Sequence, residues 1–94
     1  MKFHELDFKK ITETEVLEII VENTKKRKFV ITPLSILGLT GFPIAEQSKV
    51  LNNKDIIQKL KQILEDLETK KKLLRRKSKQ GFKGIMEVGY DYVE

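Results

Sequence analysis

The residues most able to do chemistry in this sequence are cations. From Lys70 to Met86 stand Lys70, Lys71, Lys72, Arg75, Arg76, Lys77, Lys79 and Lys83, with no acidic residue among them. That segment carries +8 in a chain of formal charge +5, so the remaining residues sum to −3. A second run, Lys25-Lys26-Arg27-Lys28, lies nearer the N-terminus. Ammonium and guanidinium groups gathered in this way are the footprint of a surface that neutralises phosphates. A charge run on a helix is often just a solvated face, but an excess of this size on a hairpin asks for more. Folding does not supply the reason, because a lone surface cation contributes little and like charges facing each other across a hairpin repel.

Other reactive groupings are weak. His4 is the only histidine, and His4, Glu5 and Asp7 have neither a thiol nor a second imidazole to complete a metal site. Glu13, Glu15, Glu18 and Glu22 recur at helical spacing and read as surface carboxylates. Gly81-Phe82-Lys83-Gly84 lacks the strand-to-helix setting of a phosphate-cradling loop. Neither catalysis nor a metal or other cofactor is therefore expected. With no cysteine, disulfides and thiolate sites are excluded, which fits a reducing compartment.

The elements that must hold the cations can be read in turn. A chain of 94 residues makes one domain with one modest core, leaving no room for a deep substrate cleft. Residues 1–11 hold Phe3, Leu6, Phe8 and Ile11 without a clear period and are a candidate N-terminal arm. Thr12-Glu13-Thr14-Glu15 has capping-box spacing, and Val16, Leu17, Ile20 and Val21 follow at helical intervals, giving a helix over 13–26. Residues 28–31 are short, β-branched and expected to be extended. Thr32-Pro33 then opens a helix that Gly41 closes, since Thr caps, Pro suits the first helical position and Gly accepts positive φ. Pro43 is expected to open a second short helix ending near Leu51.

The uncharged block 29–45 would span roughly 25 Å as a helix, against a bilayer core of about 30 Å. It also contains Pro33, Pro43, Gly38 and Gly41, so it reads as buried core rather than membrane. The most regular stripe is Ile56, Ile57, Leu60, Ile63, Leu64 and Leu67, giving a helix over 54–70. Leu17, Ile20, Leu60, Ile63 and Leu67 are the expected core. Residues 73–77 and 85–93 form the arms of a β-hairpin around a glycine-bearing loop over 78–84.

Helix, short strand, helix, Gly turn, helix and basic hairpin is an order that resembles the winged helix-turn-helix family of DNA-binding domains. The stretch ITPLSILGLTGFPIAEQSKVLNN also resembles the helix-turn-helix of bacterial repressors, matching at Thr32, Gly41, Val50 and Leu51. It departs from that pattern at Leu37, where the family favours a small residue, and at Gln47, where it favours an inward aliphatic. Pro43 and Ile44 are unusual at a recognition-helix start, and the helix over 54–70 is an additional element unless it is itself the third helix.

The resemblance implies an α+β fold, a small winged helix of three or four helices with a C-terminal β-hairpin wing. It implies double-stranded DNA as partner and a role as a small prokaryotic or mobile-element transcriptional regulator, cytoplasmic and nucleoid-associated, with a two-fold homodimer as the usual assembly and no membrane. The groove-facing residues are Ala45, Gln47, Ser48 and Lys49 if residues 43–51 read the bases. They are Lys54, Gln58, Lys61 and Gln62 if residues 54–70 do. Arg75, Arg76, Lys77, Lys79 and Lys83 would lie on the backbone. The alternative is a winged helix used as a protein-interaction module or assembly subunit, which does not touch DNA. RNA bound by stacking on Phe82, Tyr90 and Tyr92 is a third reading.

Overall fold

Thr12 and Thr32 each start a helix by the same local exchange. In the structure, a computed structural model describing residues 10–82 and 85–93, the Thr12 hydroxyl accepts the Glu15 N–H at 3.2 Å and the Glu15 carboxylate accepts the Thr12 N–H at 3.1 Å. The result is α1 (Glu13–Thr24). Thr32 accepts the Ser35 N–H at 3.0 Å and Ser35 Oγ accepts the Thr32 N–H at 2.7 Å, with Pro33 at the first helical turn, giving α2 (Pro33–Leu39). Gly41 closes α2 at φ +96°, as its position requires.

The next expectation is corrected. Pro43 does not open a helix: residues 43–45 form a turn in which the Glu46 N–H donates to the Pro43 carbonyl at 3.0 Å, and α3 (Gln47–Leu51) is little more than one turn. Ile44 is partly buried against the core, with its Cδ1 packed over Gly38 of α2. Burying that side chain ties residues 42–45 to the end of α2 and delays the helix.

The long stripe forms α4 (Lys54–Thr69), burying Leu60, Ile63, Leu64 and Leu67. It stops where Lys71 takes φ +64°, with the Lys72 N–H donating to the Leu67 carbonyl and the Lys71 N–H to the Glu68 carbonyl, both at 2.9 Å. This is a Schellman closure built on lysine where glycine is usual.

The hairpin follows directly as β1 (Leu73–Phe82) and β2 (Ile85–Tyr92), antiparallel. Pairing runs from Leu73↔Tyr92 to Arg75↔Tyr90, then resumes at Lys79↔Val88 and continues to Phe82↔Ile85. The expected loop over 78–84 is therefore too long. Residues 76–78 of β1 bulge opposite Gly89, which absorbs the extra length and lets the ladder continue to Phe82. The extended segment is held by Ile31 alone, which exchanges two 2.9 Å backbone hydrogen bonds with Tyr90. Gly89 makes that approach feasible, because a Cβ there would stand 2.7 Å from Val30 Cγ1.

Among the described residues the chain is thus four helices followed by an antiparallel two-stranded hairpin, a small winged-helix-like α+β fold. One apolar cluster joins all of it, with Ile20, Ile31, Leu37, Leu60, Leu64 and Leu73 fully enclosed. Leu17, expected in that core, is only half-buried: α1 turns Val16, Ile19 and Ile20 inward and leaves Leu17 on its flank. No helix of the described residues is long and apolar enough to cross a membrane. The N-terminal arm expected at 1–11 lies outside the described residues except for Lys10 and the buried Ile11.

Two substitutions test the helix ends. Nothing lies within 4 Å of a Cβ placed on Gly41, so Gly41→Val strains only the backbone and should cost more than about 1 kcal/mol. Lys71→Gly should stabilise by about 0.5–1 kcal/mol, because it removes a left-handed lysine. Urea midpoints of the two variants should move in opposite directions.

Candidate nucleic-acid interface

The position of each cation follows from helix phase and strand register. On α4, Ile57, Lys61 and Glu68 share one stripe, since spacings of four and eleven residues bring side chains back to the same face. That stripe faces the hairpin: Arg75 donates to Glu68 Oε1 at 3.1 Å, and Ile57 and Lys61 line a cleft with Lys79, Ile85 and Val88. Lys54 and Gln58 continue the exposed strip beside Lys61. Residues paired across the ladder share a face, so Arg75 and Lys79 lie with Tyr90 and Val88 on the α4 side.

Arg76 lies on the other face. It is close to Gly89 and donates to Asp91 Oδ2 at 3.1 Å. Lys28 lies near Asp91 as well, in a depression lined by Thr24, Phe29 and Tyr92. The clusters at 25–28 and 70–83 therefore do not make one continuous face: Lys61 and Lys79 meet on one side of the hairpin, Lys28 and Arg76 on the other.

The view that folding has no use for the basic run is also corrected. Lys70 pairs with Glu13 at 2.7 Å, Arg75 with Glu68 at 3.1 Å and Arg76 with Asp91 at 3.1 Å. The Glu13 hydrogen bond raises the Lys70 pKa, and the charge of Glu68 raises that of Arg75. These partners come from α1, α4 and β2, outside the run, where a linear count of charge cannot see them. Among the described residues Lys77 and Lys79 make no ion pair. Lys83 lies outside the described residues, as do His4, Glu5 and Asp7.

Ala45, Gln47, Ser48 and Lys49 are exposed on and before α3. None of them lines the cleft, and Lys49 pairs with Glu46 at 3.0 Å. The described residues contain no grouping of carboxylates and imidazoles suited to a metal.

Glu87 is the residue that sequence reading missed. It lies half-buried in the cleft, where Oε1 accepts the Leu34 N–H at 3.3 Å and Oε2 is buried without a hydrogen-bond partner. Burial raises its pKa, opposed by the Leu34 amide and the Thr32 hydroxyl. A lone acid within the otherwise apolar run Ile85-Met86-Glu87-Val88 at the start of β2 was the available signal. No family model, characterised protein or solved structure matches this chain.

Because the folded state raises the pKa of Glu87, it holds that proton more tightly than the unfolded chain does. The corresponding stability is fully present below the ordinary value of 4.5 and is lost as pH rises through the raised folded value. Glu87→Gln should remove this loss. Urea midpoints of wild type and variant, measured from acid pH to neutrality, should diverge in the variant's favour as pH rises.

Proposed function

We propose that this chain binds double-stranded DNA as a small transcriptional regulator, with the N-terminal half of α4 toward the major groove and the hairpin on the backbone. The observation supporting this most strongly is the convergence of Lys61 from α4 and Lys79 from β1 on one cleft, with Lys54 and Gln58 extending the same strip. Two ammonium groups are brought there from separate elements, and neither is tied to a carboxylate of the described residues. Their charge can therefore be directed at phosphates. Lys and Gln can also hydrogen-bond base edges.

A protein-interaction role is the second reading, and exposed apolar side chains favour it. Leu74 is 64% exposed and Met86 61%, on opposite faces of the hairpin. Arg75 and Arg76, already paired, then serve to hold the hairpin in place.

Salt dependence separates the two. For duplex binding, Lys61→Ala with Lys79→Ala should reduce the log–log salt slope by about two, near one for each phosphate no longer neutralised. Arg76→Ala should change it far less, because its guanidinium already faces Asp91. All three residues are exposed, so the melting midpoints should hold. If slope and affinity are unchanged in the double variant, the protein-interaction reading takes over.

A further inference from the structure

The run Lys25-Lys26-Arg27-Lys28 is not used by the surface that α4 and the hairpin offer to a duplex. All four side chains are exposed, and none pairs with a carboxylate of the described residues. Helix stability accounts for little of the run. α1 ends at Thr24, and the macrodipole favours cations only within about the last turn. Four adjacent like charges repel one another, so the fold gains nothing by gathering them there. In sequence no acidic residue follows until Glu46. Of the acids beside the run, Glu22 shares the flank of α1 with Lys25, and Asp91, near Lys28, is already engaged by Arg76.

The run forms a corner of the molecule. Lys25 lies with Leu17 and Val21 on α1, Arg27 beside Phe29 and Ser35, and Lys28 with Asp91 on the outer side of the hairpin. None of them lines the cleft of Lys61 and Lys79, on the hairpin's other side. The molecule measures 34 × 29 × 24 Å. DNA stays straight over such lengths, since its persistence length is about 50 nm. A duplex laid along α4 and the cleft therefore does not also meet the corner, whereas a second segment does.

We propose that residues 25–28 form a second duplex-binding surface, so that one chain bridges two DNA segments. This rests on the duplex reading and extends it from a single contact to a cross-link. A protein partner would need carboxylates placed to match a corner that splays among α1, α2 and the hairpin. A duplex needs no such match, because it presents one charge per roughly 1.7 Å of axis and long side chains find phosphates whatever the sequence. A chain already held on one duplex by its first face also presents the corner to neighbouring segments at high effective concentration.

Capture on beads tests this with the full chain. A duplex of about 20 base pairs, far below the roughly 150 over which DNA bends smoothly, is tethered, saturated with protein and washed before a second, labelled duplex is added. Wild type should retain the labelled duplex, and retention should fall with salt at a log–log slope of roughly 3.6, about 0.9 for each of four cations. Lys25→Gln, Lys26→Gln, Arg27→Gln and Lys28→Gln combined should leave the tethered duplex saturable and lower retention of the labelled one by about tenfold or more. Should that variant fold poorly, Arg27→Gln with Lys28→Gln alone should reduce the slope by about 1.8. Sedimentation should give wild type and variant the same mass; a lighter variant would assign bridging to a pair of chains and overturn the proposal. Saturation of the tethered duplex without retention of the labelled one, or equal retention by the variant, would overturn it too. Binding of labelled polyglutamate in place of the second duplex would then give the corner to an acidic protein. If wild type does not saturate the tethered duplex at all, the duplex reading itself fails and bridging falls with it.

Discussion

The two backbone hydrogen bonds between Ile31 and Tyr90 are the constraint on which the rest of the structure depends. They join a segment leaving α1 to the second strand of the hairpin, residues far apart in sequence, and both side chains are buried. Closing so long a loop is entropically costly, and only the contacts it brings together can offset that cost. Those contacts are substantial. Once Ile31 lies beside β2, Thr32 and Pro33 start α2 along the same edge, and the Leu34 N–H reaches Glu87. The hairpin in turn covers α4 through Leu73 and Tyr90. Gly89 is what permits the close approach, so one missing side chain sets how near the helical half and the hairpin can come.

Ion pairing divides the cations into two groups with different physical roles. Lys70, Arg75 and Arg76 each reach a carboxylate on another element, so they fasten the hairpin and the end of α4 to their surroundings. All of these pairs are solvent-exposed, and each contributes only about 0–1 kcal/mol. Their value is geometric: Arg75 between Glu68 and Tyr90 orients the base of β1 against the last turn of α4. Lys61 and Lys79 have no such attachment among the described residues and stand on the walls of an open cleft.

Much of the fold was legible because its signals were local. The Thr12 capping box, the Thr32 cap, the Gly41 turn and the stripe of α4 depend on residues within a few positions of each other, and each appears where the sequence places it. Where tertiary packing overrode local preference, the reading failed. Pro43 is a sound helix starter in isolation, but burying Ile44 against α2 holds the chain in a turn. The glycines at 81 and 84 argued for a long loop, while the bulge at 76–78 kept the strands in register beyond it. Of the candidate site, the basic character of the hairpin was plain from composition. Its division into paired and unpaired cations was not, since Glu13, Glu68 and Asp91 lie outside the run. Glu87 was hidden for the same reason: nothing in its own strand says that Leu34 and Ile57 will enclose it.

The charge of α4 decides how a phosphate-bearing partner would meet it on the duplex reading. Its first two turns carry Lys54, Lys59 and Lys61 against Asp55 alone, whereas its later turns carry Glu65, Asp66 and Glu68. Glu68 is engaged by Arg75, but Asp66 remains exposed and would repel a backbone laid along the full helix. The macrodipole acts in the same sense, positive at Lys54 and negative at Thr69. Only the N-terminal half can therefore approach phosphates favourably, and that half is the one beside Lys79. α3, with five residues and Lys49 tied to Glu46, offers no comparable field. Of the two helices that could enter a groove, the one that leads directly into the hairpin is the better suited, and it would enter by its N-terminal end.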